Sequence, residues 1–284
     1  MISGTRTRLS AEIARQTGLA NDIARLQDQV STGRRLVSPS DDPVGHARLT
    51  AIRQVQADDA AYGANINAGA ATATRADNAM GSLSSTLDRA KELVTLAANG
   101  TTNADARAAA ATELRSLAKD VAQLAQSKDS RGQALFPTEQ PLAIPIGPGV
   151  QVAATVSRDT LFGFAKADGG ATDIAAMLNA AADAATATDA PARTSGLAEA
   201  LTGVEKAAAQ AINVRADQGL RAARFDARAD AIANDGVTLA TERSGIEDTD
   251  YSAAIALITS KMTTLQAAQA VFAKVSKQTL FDVL

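Results

Sequence analysis

The chain has 284 residues, 46% of them hydrophobic, and a net charge of −3 from 28 basic and 31 acidic side chains. That is enough apolar material for a substantial core, and it excludes a chain disordered throughout. With no Cys, no Trp and a single His, the composition also excludes disulfides, thiolate metal sites, cysteine nucleophiles and histidine clusters, while the evenly spread charge offers no footprint for nucleic acid.

Aromatic residues make up only 3%, and the apolar share leans on Ala, as around 106–111 and 180–187. Small side chains of high helix propensity suit slender helices that approach closely. The segment Met1–Ser10 carries Arg6 and Arg8 with no apolar run after them, so no cleaved secretory signal is expected. No run reaches the roughly 18 apolar residues of a membrane span, so no membrane insertion is expected.

The first helix is predicted from about Thr5 to Thr32, stopping at Gly33. Along it Leu9, Ile13, Gln16, Ala20, Ile23, Gln27 and Val30 step by four and three, which keeps one stripe facing a partner. After the loop, Asp42 is placed to cap a second helix, with Pro43 at its first position, where a missing N–H costs nothing. In that helix a seam runs through Ile52, Val55, Asp59, Tyr62, Ile66, Gly69, Ala73, Ala76, Met80, Leu83, Leu87, Ala90, Val94 and Ala97, with only Asp59 polar. Such a seam would extend roughly 70 Å, the length of a rod rather than a globule. Asn99-Gly100 ends it, and Asn103 is placed to cap a third helix that runs to about Ser127.

Between Arg131 and Phe164 four prolines argue against helix, and the alternation Val150, Val152, Ala154, Val156 predicts a short strand. A modest helix followed by a linker closed by Pro191 is expected for 170–193. Helix returns after Ser195, and Asp248 or Thr249 should cap a last one. Its stripe, Tyr251, Ile255, Ile258, Met262, Leu265, Gln269 and Phe272, mirrors the N-terminal one.

The predicted architecture is mainly α: an elongated rod of long antiparallel helices with N- and C-terminal coiled-coil helices and a small β-rich central insertion. Its divisions are 1–33, 34–130, 131–193, 194–247 and 248–284. The long central seam reads as intramolecular core. The two terminal stripes fit either a core or an assembly device, and the glutamines at 16, 27 and 269, which weaken an isolated pair, favour completion by neighbouring subunits. The assembly residues on this reading are Leu9, Ile13, Ile23, Val30, Tyr251, Ile255, Ile258, Met262, Leu265 and Phe272.

Sharper chemistry finds little footing. Asp41-Asp42 lacks the alternating ligands and distant Glu of a calcium loop and reads as a cap. Gly147-Pro148-Gly149 has no following Lys and helix, so it is a turn rather than a phosphate loop. One His and no Cys leave an enzyme without convergent titratable groups, so no catalytic residue, cofactor or metal is expected. A surface adhesin or receptor-binding module would need a larger central domain than 131–193 allows.

Several segments carry a family resemblance over nearly the whole chain. Val30-Ser31-Thr32-Gly33-Arg34-Arg35-Leu36 with Ser38-Pro39-Ser40-Asp41-Asp42-Pro43, Leu87-Asp88-Arg89-Ala90-Lys91-Glu92-Leu93 with Asn99-Gly100-Thr101, Arg215-Ala216-Asp217-Gln218-Gly219, and Ile246-Glu247-Asp248-Thr249-Asp250-Tyr251 stand in the order of the flagellin family. Together the segments resemble that family. Pro43 after the paired Asp, the segment 146–163 and the ending Thr279-Leu280-Phe281-Asp282-Val283-Leu284 resemble its hook–filament junction branch more than its filament subunits. The start Ile2-Ser3-Gly4-Thr5 departs from that branch, and a short filament flagellin stays open as the alternative. The resemblance implies a structural subunit outside the cell in the bacterial flagellum, exported through the type III channel without a cleaved signal. It implies as partners further copies of the chain, flagellin, another hook-associated protein and an export chaperone. It also places Arg89, Leu93 and Glu113 where the family meets an innate immune receptor.

Overall fold

A computed structural model describes residues 2–165 and 170–281. Among them are α1 (Ile2–Thr32), α2 (Pro43–Ala98), α3 (Ala104–Ala125), β1 (Ala143–Gly147), β2 (Val150–Ala153), α4 (Arg158–Phe162), β3 (Gly163–Ala165), β4 (Ala171–Asp173), α5 (Ile174–Thr186), α6 (Ala190–Glu247) and α7 (Tyr251–Phe281). The strands form two antiparallel pairs, β1 with β2 and β3 with β4. The expected class, mainly α with a small β-rich insertion, is the one found. Contacts divide the chain into two compact units, Asp58–Ala233 and the terminal unit Met1–Ala57 with Asn234–Leu284.

The unit Asp58–Ala233 holds most of the buried apolar residues. Every seam position of α2 from Ile66 to Ala97 is buried, as the three-four spacing requires. From Ala76 onward they share one core with Leu114 and Val121 of α3, Leu178 and Ala182 of α5, and Val204 and Ala211 of α6. Small side chains let these helices come close: a methyl at Gly69 would stand 2.5 Å from the Phe225 ring. Asn103 caps α3 by accepting the Ala106 amide at 2.8 Å, as expected.

The β1–β2 hairpin turns at Gly149, whose φ of +69° suits a residue without Cβ. Helix α6 holds it by its outward carbonyls: Arg228 donates to Ile146 O at 3.0 Å, Gln218 to Ala154 O at 2.8 Å and Arg221 to Ala153 O at 3.3 Å. Beneath it Ile146, Val152 and Ala154 pack with Ile66, Ala73 and Phe225.

Three local expectations need correction. After the last proline of the insertion a short helix, α4, forms with Ser157 as its cap, so 131–164 is not free of helix. Pro191 opens α6 rather than closing a linker: Asp189 accepts the Ala192 amide at 2.9 Å, and proline in a first turn sacrifices no bond. Helix α7 is capped by Asp250, which accepts the Ala253 amide at 3.0 Å, and not by Asp248 or Thr249. Those two are taken by other bonds, long-range for Thr249, whose hydroxyl donates to Gln29 O at 3.2 Å, and local for Asp248. Thr249 N–H donates to Gly33 O at 3.0 Å, and Asp248 accepts from the Ser244 hydroxyl.

Candidate assembly surface on the terminal helices

The terminal unit is organised by two chain connections that bond to each other. Gly33 ends α1 with φ +72°, the left-handed conformation of a helix C-cap. The next residue but one, Arg35, donates its N–H to Glu247 O at 2.7 Å and its guanidinium to Ile246 O at 2.8 Å. Asp41 then accepts the amides of Ser38 at 2.8 Å and Val37 at 3.3 Å. Asp42 accepts the Gly45 amide at 2.8 Å, with Pro43 as the first residue of α2. Both acids therefore accept backbone amides beside a helix start, which is capping chemistry.

Beyond these connections α1 packs against α7. Helix α1 turns Gln16, Leu19, Ile23, Leu26 and Val30 inward, with Ile23 the most buried at 8% exposure. Helix α7 answers with Ala254, Ile258, Lys261, Leu265, Ala268 and Phe272, a regular four-three row. Lys261 Nζ meets Asp22 Oδ2 at 2.7 Å within the pair. That bond and the ammonium charge hold the Asp22 carboxyl below its ordinary range, with Arg25 adding to the effect.

The ten residues expected to mediate assembly thus divide. Ile23, Val30, Ile258, Leu265 and Phe272 are partly or wholly buried inside the chain's own helix pair. Leu9, Ile13, Tyr251, Ile255 and Met262 are left 41–54% exposed. On α7 the residues Tyr251, Ile255 and Met262 fall within one narrow sector at the helical repeat, beside the packed face. Leu257 and Val271, also exposed, flank the packed face on its other side and were not picked out from the sequence. The signal that could have found them is an apolar arc on α7 wider than one partner helix can cover.

Other candidates hold no convergent chemistry. His46 is half-buried, its backbone N–H donating to Asp42 O at 2.9 Å. No group of three or more His, Asp or Glu able to hold a metal occurs among the described residues. A cavity of about 680 Å³ in the unit Asp58–Ala233 is lined by Phe164, Met177, Ala181 and Gly203, with Glu199 and Lys206 as the titratable groups among its described residues. Of the residues matched to receptor contacts, Leu93 is 4% exposed, and Arg89 is engaged by Glu113 at 2.6 and 3.0 Å and by Glu92 at 2.8 Å. No helix among the described residues is long and apolar enough to cross a membrane.

Residues 6–140 match the bacterial flagellin N-terminal helical region, and residues 201–284 match the bacterial flagellin C-terminal helical region. Flagellar hook-associated protein 3 of Salmonella typhimurium is 29% identical over 123 residues, 42% of this chain, and the matched stretch spans only 39% of that relative. The crystal structure of Xanthomonas campestris FlgL superposes with a TM-score of 0.61 at 15% identity, covering 68% of this chain and 99% of that one. The flagellar junction protein FlgL of Legionella pneumophila gives 0.57 at 11% identity, over 71% and 100%. At such identities the structural likeness speaks to the fold alone, but the two family matches take in both helical halves of the sequence: the chain belongs to the bacterial flagellin family.

Proposed function

We propose that this protein is a structural subunit of the flagellum that joins hook to filament and polymerises through the free faces of α1 and α7. The observation that carries this reading is the exposure of Leu9 and Ile13 on α1 and of Tyr251, Ile255 and Met262 on α7, in a helix pair that already packs its own seam. Apolar surface of this kind on paired helices is stabilised by covering it, at about 25 cal/mol per Å². The likeness to hook-associated protein 3 favours the junction over the filament. On this reading the neighbours are further copies of the chain, flagellin and another hook-associated protein. A chaperone shields the terminal helices before export to a final place outside the cell. The work is mechanical, with no catalytic step.

Immunogold electron microscopy on intact flagella tests the assignment. Label confined to the boundary of hook and filament is the expected result. Label along the whole filament would make the chain a filament flagellin instead, and flagella without label would end the proposal.

A further inference from the structure

Three arginines that bridge elements of this protein do so through close, two-pronged pairs. Arg48 holds Glu242 at 2.5 and 2.8 Å, Arg89 holds Glu113 at 2.6 and 3.0 Å, and Arg215 holds Asp77 at 2.8 and 3.1 Å. One cluster in the terminal unit breaks the pattern. There Arg34, Arg53 and Arg243 surround the single carboxylate of Glu247 at 3.3, 3.7 and 3.9 Å. The two longer contacts are beyond hydrogen-bond reach. The Glu247 side chain is 10% exposed, whereas the three arginine side chains are 47–64% exposed and line a polar recess with Ser244 and Asp248. Nearby Arg35 is already used, by Ile246 O and by Asp42 at 3.7 Å.

The charge in this recess does not balance. Arginine stays protonated at any ordinary pH, so three positive groups face the carboxylates of Glu247 and Asp248, and the latter already accepts the Ser244 hydroxyl. Each guanidinium carries five N–H donors in a fork suited to two oxygens on one atom. Here those donors converge on one carboxylate without closing on it. An added oxyanion would supply the missing charge and the missing acceptors together.

We infer that the recess formed by Arg34, Arg53 and Arg243 is an oxyanion-binding site, for a carboxylate or a phosphoryl group. A carboxylate could be supplied by an acidic side chain of another copy, and a phosphate by solution. Glu247 is the internal competitor. It occupies the inner side of the recess and lowers affinity for an external anion while keeping the arginines gathered.

The test uses the full chain and is independent of any flagellar role. Arginine Nε–H resonances are followed by NMR while sodium phosphate or sodium acetate is added at constant ionic strength, with chloride as the reference salt. Saturable shifts of Arg34, Arg53 and Arg243 are expected, weakened about tenfold or more in Arg53→Gln and in Arg34→Gln, each of which loses a charged donor. Glu247→Gln, which keeps the side chain's shape but removes the competing charge, should tighten binding. Saturation by both anions assigns a carboxylate-compatible site, and saturation by phosphate alone assigns a phosphoryl site. Shifts that are linear, equal in chloride or unchanged in both arginine variants would overturn the inference.

Discussion

The unit Asp58–Ala233 and the terminal unit are built from the same kind of helix but bury it to different degrees. In the first, α2, α3, α5 and α6 close around Met80, Leu83, Leu87, Leu114 and Leu178, all with no measurable exposure. Among the described residues of the terminal unit the buried apolar ones are Ile23, Leu49, Ile52 and Ala254, while Leu9, Ile13, Tyr251, Ile255 and Met262 stay in solvent. Four facing helices can enclose an apolar seam on all sides. Two helices cannot, and a pair whose apolar arc is wider than its seam keeps surface for something else.

Breaking the enclosed unit should give the largest effect. Phe225 is fully buried against Gly69, so Phe225→Ala removes a ring that the surroundings cannot replace. A loss of about 3–5 kcal/mol is expected, read by denaturant unfolding. A loss under about 1 kcal/mol would show that this core is not closed as described. In the terminal pair, Leu265→Asp places a charge in a half-buried seam and should cost about 1–3 kcal/mol, detected as lost helicity and early melting of α1 and α7 together. An unchanged circular dichroism melt would mean that α1 and α7 do not depend on each other.

Smaller still is the cap. Asp42→Ala frees the Gly45 amide and should cost about 1 kcal/mol in the terminal unit, with the melt indifferent to calcium in both proteins. Calcium-dependent melting that vanishes in the variant would contradict the capping role. Acid should affect both units weakly. Asp77 and Glu113 in one, and Asp22 and Glu242 in the other, are each held below the usual carboxylate range, chiefly by a hydrogen bond from Arg215, Arg89, Lys261 and Arg48 respectively. A folded pKa below the unfolded one gives stability that is complete above the unfolded value, about pH 4, and is lost as pH falls through the folded value. These pairs are 36–42% exposed on the carboxylate side, so the loss should be slight and reduced by salt. A melting temperature that rises on acidification below pH 4 would reverse the sign.

The sequence showed most clearly what repetition controls. From Ile66 to Ala97 the spacing of α2 alone picked every buried seam residue, because a straight helix in a closed core leaves no choice of face. Asn103 and Asp42 were legible because a cap needs only a short acceptor before a helix. The cap of α7 was not, since Asp248, Thr249 and Asp250 are all competent acceptors. The choice among them is made by Gly33 and Ser244, residues distant in sequence or on another helix. The terminal stripes were half legible for the same reason. Spacing locates an apolar arc, but only the partner helix decides that Ile258, Leu265 and Phe272 turn inward while Ile255 and Met262 remain outside. The arginine recess left no sequence signal, because its members come from three separate segments.

The central claim, that the free faces of α1 and α7 serve other subunits rather than the chain's own fold, is tested most directly at Ile255, which is 54% exposed. Ile255→Asp is introduced in cells and in purified protein, and melting is compared with filament growth on the flagella. The account predicts an unchanged melt together with a hook that carries no filament while flagellin escapes into the medium. A normal filament grown by cells carrying Ile255→Asp would contradict it.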